Sequence, residues 1–546
     1  MLVPTIIKGM SRGGASALKR TRQIASHMMS TTAEETVKFE SLSELRTYTL
    51  NRPEKLNALD EQMLGLLRPK IESWSKSDLC GVVLGRGTGR AFCAGGDVAS
   101  VAQNAANPTT RKRAIKFFKD EFELDYLLAT IQKPYVALMD GITMGGGVGL
   151  SAPATFRVAT ENTLFAMPET DIGYCPDVGG SYYLSRLDGE IGTYLSLTGA
   201  RLKGRAVFEH GLATHFIPSR RIPTVLEALA GVEAADYDTA CVEVNGILEE
   251  NSAERESDEP SSLLVGPTRV ALDSAFRHDS VEKIVDDLTR FKSDKDEMVS
   301  GWASKTLELL ALRSPTSLKV ALAAIRRGRD QDLWEALNME LRIATAYCSG
   351  ASPDFIAGIT AKLIDKSKGP PQWSPSSVKD VADDIVSRFF SAKSAFLTQA
   401  PKLYLPENDV TPKAGTTKDT EDSTNKSGTS LQESTGSVES GGDKKGKEGV
   451  ILDGPDRDIG PPPDFSAKPH AYHKYSLPTE KEIEAIVRGN DIDSPGTGYT
   501  IDEVVEKVLE HHNGKMGIRE KVLEIVERKC KIVDNADGNF VWVSWK

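Results

Sequence analysis

The stretch "PYVALMDGITMGGGVGL", residues 134–150, decides the fold because it joins a short apolar segment to a glycine-rich loop. Its first part, "PYVALMDG", has the length and the aliphatic and aromatic content of a short buried strand. The glycines that follow allow backbone amides to approach an acceptor closely and to take angles that other residues avoid. The stretch therefore predicts a strand that leads into a loop able to direct an N–H group at a bound oxygen.

Strands and helices alternate on both sides of this stretch. The segments "LRTYTLN" (45–51) and "GVVLG" (81–85) predict two more short buried strands, separated by predicted helices at 62–76 and 111–129. This order predicts an α/β fold with parallel strand pairing. From about residue 281 to residue 390 the pattern becomes mostly helical, and Ser314 with Pro315 is typical of a helix cap and first turn.

A second glycine-rich loop, "GRAFCAGGDV" at 89–98, follows the strand "GVVLG". Two loops that each direct one amide at the same oxygen form an oxyanion hole. Either loop alone is equally compatible with an ordinary strand-to-helix turn. Gly147, Gly149 and Ala152 match the dinucleotide fingerprint GxGxxA, but Pro153 would break the long helix that this fingerprint requires.

The segment "LFAMPETDIGYCPDVGG" (164–180) places three carboxylates in a mostly apolar run. Burying a carboxylate costs several kcal/mol unless it is paired, hydrogen-bonded or neutralised. Glu169 and Asp177 are therefore either satisfied structural acids or a catalytic pair. We expect Asp171, the third acid, to be structural or solvated.

Composition limits the classes of protein to consider. The chain has 546 residues, of which 39% are hydrophobic, so two folded units joined by a linker are expected. Six cysteines without CxxC or metal-ligand spacing favour a reducing compartment and predict no metal site. No apolar run approaches the roughly 20 residues of a membrane span, so no membrane association is expected. The net charge of −11 argues against nucleic acid as a direct electrostatic partner.

The two ends of the chain differ from its middle. Residues 1–32 contain Lys and Arg among Ser and Ala but no acid, which predicts a mitochondrial transit peptide; a basic tail is the alternative. Residues 401–470 are rich in Ser, Thr, Gly, Lys and Glu and predict a disordered linker. Residues 471–546 predict a small α+β module of two or three helices, a strand, a turn and a strand, similar in outline to a winged helix. This module has 11 basic and 14 acidic residues, so it lacks the basic balance that contacts with RNA phosphates require.

Together, these motifs resemble the crotonase (enoyl-CoA hydratase/isomerase) superfamily, and more closely its 3-hydroxyisobutyryl-CoA hydrolases. The matching motifs include "NRPEKLNALD", "AFCAGGDV", "KPYVALMDGITMGGGVGLS", "FRVATENTLFAMPETDIGYCPDVGGSYYLSRL" and "NMELRIA". The resemblance covers about residues 38–390 and implies a crotonase-like domain at 33–400, with repeated ββα units and a C-terminal helical region. It also implies an acyl-CoA substrate, no separate cofactor because CoA is part of the substrate, a homo-oligomer, and a place in the mitochondrial matrix.

The resemblance assigns the site residue by residue. It implies that the amides of Gly96 and Gly146 form the oxyanion hole. Glu169 would activate water or attack the thioester itself, and Asp177 would bind the substrate hydroxyl. Glu121 would be a further substrate contact; a solvated helix face is the alternative for that residue.

Gly149 distinguishes the possible reactions. Hydratases of the superfamily use two glutamates, and the first would sit at Gly149, so the resemblance implies hydrolysis of a 3-hydroxyacyl-CoA in valine catabolism. It also implies that a glutamate at this position would restore the second carboxylate. An enoyl-CoA isomerase, which needs one glutamate, is an alternative enzyme. A protein of the mitochondrial small ribosomal subunit, with the hydrolase activity retained or lost, is an alternative of another class.

Overall fold

The computed structural model describes residues 35–233, 236–367, 369–404, 469–489, 498–534 and 541–546. The expected transit peptide, nearly all of the expected linker and the expected turn between the last two strands lie outside the described residues. Except for Tyr404, every described residue belongs to one compact unit. Within these ranges, no helix is both long enough and apolar enough to cross a bilayer.

Two sheets form the framework of this unit. The larger has six strands in the order β1-β2-β3-β5-β7-β10, in which only the β1–β2 pair is antiparallel. The smaller has four strands in the order β4-β6-β8-β9. This arrangement confirms the predicted α/β fold with parallel pairing. The strands are β1 Val37–Leu42, β2 Leu45–Leu50, β3 Val82–Gly87, β4 Ala91–Cys93, β5 Tyr135–Met139, β6 Ile142–Met144, β7 Phe156–Ala159, β8 Leu164–Ala166, β9 Leu202–Lys203 and β10 His215–Phe216.

Three strands of the larger sheet are each followed by a short strand of the smaller one: β3 by β4, β5 by β6, and β7 by β8. This repetition confirms the expected series of ββα units. β4, β6 and β8 are parallel neighbours, with Ala91 opposite Ile142 and Ile142 opposite Leu164. Parallel neighbours end at the same edge of a sheet, so the loops that follow these three strands lie next to one another.

The helices cover the sheets, and the expected helices at 62–76 and 111–129 are present as α1 and α3. Asp60 caps α1 by accepting a hydrogen bond from the Met63 amide at 2.9 Å, and Ser314 caps α13 by accepting one from the Ser317 amide at 3.1 Å. From α8 to α16 the described chain forms helices and turns without a named strand. The helices are α1 Glu61–Ser75, α2 Val98–Ala106, α3 Arg111–Thr130, α4 Gly146–Ser151, α5 Gly180–Leu184, α6 Ile191–Thr198, α7 Arg205–Glu209, α8 Ile222–Leu229, α9 Tyr237–Asn251, α10 Gly266–Phe276, α11 Val281–Phe291, α12 Glu297–Leu312, α13 Pro315–Gly328, α14 Leu333–Cys348, α15 Asp354–Ile359 and α16 Asp383–Phe390.

The C-terminal segment, defined here as residues 469–546, packs against this framework. It contains α17 Glu480–Val487, α18 Ile501–His511, α19 Ile518–Lys529 and the antiparallel pair β11 Cys530–Asp534 and β12 Val541–Trp545. The buried Arg157 of β7 donates hydrogen bonds to the Tyr472 carbonyl and the Ser476 hydroxyl, both at 2.9 Å. Glu480 accepts hydrogen bonds from Arg269 of α10 and Arg528 of α19. These buried polar contacts join the segment to the rest of the compact unit.

Candidate active site

The two glycine-rich loops meet at the edge of the smaller sheet. Gly145 precedes α4 with a φ of 48°, a conformation that favours glycine. A Cβ atom placed on Gly146 would lie 3.3 Å from the Gly96 amide nitrogen. The structure therefore brings together the two glycines that the sequence paired.

Glu169 lies beside this pair of loops. It begins a 3₁₀ turn, Glu169–Ile172, immediately after Pro168, and is 7% exposed. Its Oε1 lies 3.0 Å from the position that a Cβ atom would occupy if Gly145 had a side chain. Its Oε2 is buried and has no hydrogen-bond partner among the residues described. Burial raises the pKa of Glu169 to about 8. The carboxyl is thus desolvated and has one oxygen available to a ligand.

Glu121 points toward the same place from α3. It is 2% exposed, and its Oε1 occupies the space that a side chain on Gly146 would need. This oxygen has no hydrogen-bond partner in the described part of the chain. Burial and the charge of Glu169 raise the pKa of Glu121 to about 8. The alternative of a solvated helix face is wrong, because Glu121 is buried where α3 packs among α1, α2, α4 and α14.

Asp177 completes the set of acids expected from the sequence. It is 5% exposed, and its Oδ2 accepts a hydrogen bond from the Tyr174 hydroxyl at 3.0 Å. Burial, together with the charges of Glu121 and Glu169, raises the pKa of Asp177. The next residue, Val178, has a φ of 54°, which is a true outlier for a β-branched side chain. Strained backbone of this kind persists only where its surroundings hold it in place.

Glu340 of α14 provides that restraint and was missed by the sequence reasoning. Its carboxylate accepts hydrogen bonds from the Gly179 amide at 2.7 Å, the Ser181 amide at 2.9 Å and the Ser181 hydroxyl at 2.6 Å. It therefore fixes the loop that carries Asp177. The available signal was its place in "NMELRIA", because Glu340 shares a helix face with the buried Leu337 and Ala344.

Asp125 was also missed, and it corrects the interpretation of Gly149. A Cβ atom on Gly149 would lie 2.7 Å from Asp125 Oδ2, 2.9 Å from Asp125 Oδ1 and 2.7 Å from the Val178 Cβ. The expectation that a glutamate at 149 would restore a second carboxylate is wrong, because this space is already filled. The first glutamate of the hydratases is absent at 149, as predicted, but Asp125 of α3 places its carboxyl against this glycine. Its spacing of four residues from Glu121 was the available signal.

Asp171 lies outside this group of acids. Its carboxylate pairs with Arg313 at 2.6 Å and with Lys362 at 3.3 Å. The expectation of a structural role is confirmed for this residue.

The site as a whole is a buried group of carboxyls facing two glycine amides. An acyl carbonyl oxygen that accepted hydrogen bonds from Gly96 and Gly146 would lie beside Glu169, with Glu121 and Asp177 nearby. Donors directed at a developing oxyanion, combined with a carboxyl of raised pKa, suit general-base or nucleophilic attack on that carbonyl. The arrangement is thus chemically competent for acyl transfer.

Comparison with known proteins agrees with this geometry. The family model described as "Enoyl-CoA hydratase/isomerase" matches residues 45–390. A mitochondrial 3-hydroxyisobutyryl-CoA hydrolase from Danio rerio is 41% identical, over 68% of this chain and 94% of the relative. The small ribosomal subunit protein mS47 from Neurospora crassa is 35% identical, over 90% of this chain and 85% of the relative. Among solved structures, a carnitinyl-CoA dehydratase from Mycobacterium thermoresistibile is 33% identical with a TM-score of 0.58, over 67% of this chain and 99% of that one.

Proposed function

The chain belongs to the enoyl-CoA hydratase/isomerase family, and from this premise we propose that it hydrolyses the thioester of 3-hydroxyisobutyryl-CoA. The observation that carries the proposal is the placement of the buried Glu169 carboxyl beside the adjoining Gly145–Gly146 and Gly95–Gly96 loops. The products are the free 3-hydroxy acid and CoA. CoA enters as part of the substrate, and the reaction proposed requires no metal or nucleotide.

Each step of the reaction is assigned to groups present in the site. The amides of Gly96 and Gly146 donate to the thioester carbonyl oxygen, where negative charge develops as the carbonyl carbon is attacked. Glu169, in its ionised form, takes a proton from the attacking water or attacks the carbon directly. If water attacks, collapse of the tetrahedral intermediate breaks the C–S bond and the proton held by Glu169 passes to the CoA thiolate. If Glu169 attacks, cleavage of the C–S bond leaves a mixed anhydride on Glu169, and a water molecule then hydrolyses it to the free acid and supplies the proton for the thiolate. Asp177 holds the 3-hydroxyl, and Glu121 contacts the bound acyl group.

The relatives support the substrate and the location. The zebrafish relative is named a mitochondrial 3-hydroxyisobutyryl-CoA hydrolase, and the match covers nearly its whole length. We therefore assign the chain to the mitochondrial matrix and to valine catabolism. Homo-oligomerisation stays a prediction from the family.

A second candidate is membership of the mitochondrial small ribosomal subunit. The match to mS47 covers 90% of this chain, so it must extend into the C-terminal segment, whereas the hydrolase match covers 68%. Sedimentation of mitochondrial ribosomes on a gradient separates the possibilities. A ribosomal protein migrates with the small subunit at high and low magnesium, whereas a free enzyme stays at the top.

The hydrolase proposal is tested by the product formed. Purified protein should release free thiol from 3-hydroxyisobutyryl-CoA, and a 3-enoyl-CoA should not be isomerised at a comparable rate. Thiol is followed with a chromogenic disulfide and isomerisation by chromatography. Rapid isomerisation without thiol release would replace the hydrolase proposal with the isomerase alternative.

A further inference from the structure

We propose that Asp125 is a further substrate-contacting residue, which holds the 3-hydroxyl of the acyl group together with Asp177. The inference rests on the proposed function, since it concerns how the same site selects its substrate. Asp125 was not singled out from the sequence among the acids of "FFKDEFELD" (117–125).

The position of Asp125 follows from two helices. On α3 it lies four residues after Glu121, so both side chains leave the same helix face. Its carboxyl lies against Gly149, three residues along α4 from the Gly146 amide. Three residues of α-helix advance about 4.5 Å, so the Asp125 carboxyl lies within about one turn of α4 from the Gly146 amide.

The Asp125 carboxyl has no structural partner to account for its burial. It is 2% exposed, and neither oxygen has a hydrogen-bond partner in the part of the chain that the structure describes. Two other buried acids are satisfied: Glu340 accepts three hydrogen bonds, and Glu123 pairs with Arg68 and Lys119. An unpaired buried carboxyl costs folding free energy, which is expected of a group that a ligand completes.

The surroundings of Asp125 also determine what it offers to a ligand. Burial and the charges of Glu121, Asp177 and Glu340 raise the pKa of Asp125 well above its usual range. This shift favours the protonated form, in which the carboxyl has one O–H donor and one carbonyl acceptor. A hydroxyl both donates and accepts, so a neutral carboxylic acid matches it. Asp177 already accepts from Tyr174 through Oδ2, which leaves Asp125 to supply the second contact.

The test compares two substrates that differ in the hydroxyl, 3-hydroxyisobutyryl-CoA and isobutyryl-CoA, in full-length variants. Asp125→Ala removes both hydrogen-bonding groups, whereas Asp125→Asn keeps a donor, an acceptor and the shape. We expect Asp125→Ala to lower the ratio of the two kcat/KM values at least about tenfold, mainly through the hydroxylated substrate. Asp125→Asn should keep a ratio within about threefold of wild type. Asp120→Asn, which changes a half-buried acid of the same helix paired with Lys116, is the matched control.

The outcomes separate this inference from the proposed function. If wild type cleaves neither substrate, the proposed function fails. If wild type cleaves the hydroxylated substrate and Asp125→Ala leaves the ratio unchanged, or lowers both rates equally, only the Asp125 inference is overturned. A ratio for Asp125→Asn as low as for Asp125→Ala would also overturn it. Asp125→Ser, whose hydroxyl is too short to reach the same place, replaces the alanine variant if that protein does not fold.

Discussion

Replacing Glu169 by Gln should stabilise the fold increasingly as the pH rises. The pKa of Glu169 is about 8 in the folded protein, against 4.5 for an unperturbed glutamate. Between these values the folded state binds more protons than the unfolded state, so the contribution of Glu169 to stability falls as the pH rises. For this shift the loss between pH 5 and pH 8 is about 3 kcal/mol. Glutamine does not titrate, so the Glu169→Gln variant escapes this loss.

The free energy of unfolding of wild type and variant is measured by urea denaturation at pH 5, 6, 7 and 8. We expect the difference between them to grow in favour of Glu169→Gln along this series, while thioester hydrolysis is lost. Asp120→Asn, which changes a half-buried acid of α3 paired with Lys116, should show no such trend. A difference that stays constant from pH 5 to pH 8 would refute the raised pKa of Glu169 and the desolvated site on which it depends.

Three further substitutions test other parts of the structure. Gly149→Ala places a Cβ atom 2.7 Å from a carboxyl oxygen and from a side-chain carbon; the overlap should lower both kcat and, by about 1–3 kcal/mol, the unfolding free energy. Glu340→Gln removes one of the two carboxylate oxygens that accept hydrogen bonds from the loop after Asp177; kcat should fall about tenfold or more, while circular dichroism shows an unchanged fold. Glu480→Gln leaves Arg269 and Arg528 without their shared carboxylate; unfolding should become easier by about 3 kcal/mol, while kcat/KM at 25 °C is retained.

The fold and the backbone of the site could be predicted from sequence because their signals are local. Strand-length apolar runs and the helices between them predict the α/β framework, and the family resemblance implies its ββα units. Both glycines proposed for the oxyanion hole lie in loops that follow such runs. Glu169 and Asp177 stood out because they interrupt an apolar run. These features require no knowledge of which segments meet in three dimensions.

Residues contributed by other segments could not be found in this way. Asp125 and Glu340 lie on amphipathic helices, where an acid usually faces solvent. Only the packing of α3 against α4, and of α14 against α3 and the loop after Asp177, places them inside. The same packing explains why the interpretation of Gly149 was wrong: the space beside a glycine belongs to whichever element fills it. Here an aspartate from α3 fills it, 24 residues earlier in the chain.

The initial rate of CoA release from 3-hydroxyisobutyryl-CoA by wild type, Glu169→Gln and Asp120→Asn tests the central claim most directly. Glutamine keeps the shape of Glu169 but supplies neither base nor nucleophile, so kcat should fall by at least about 10²-fold. Asp120→Asn should match wild type. A Glu169→Gln variant that retains the wild-type kcat would contradict the assignment of thioester hydrolysis to this carboxyl.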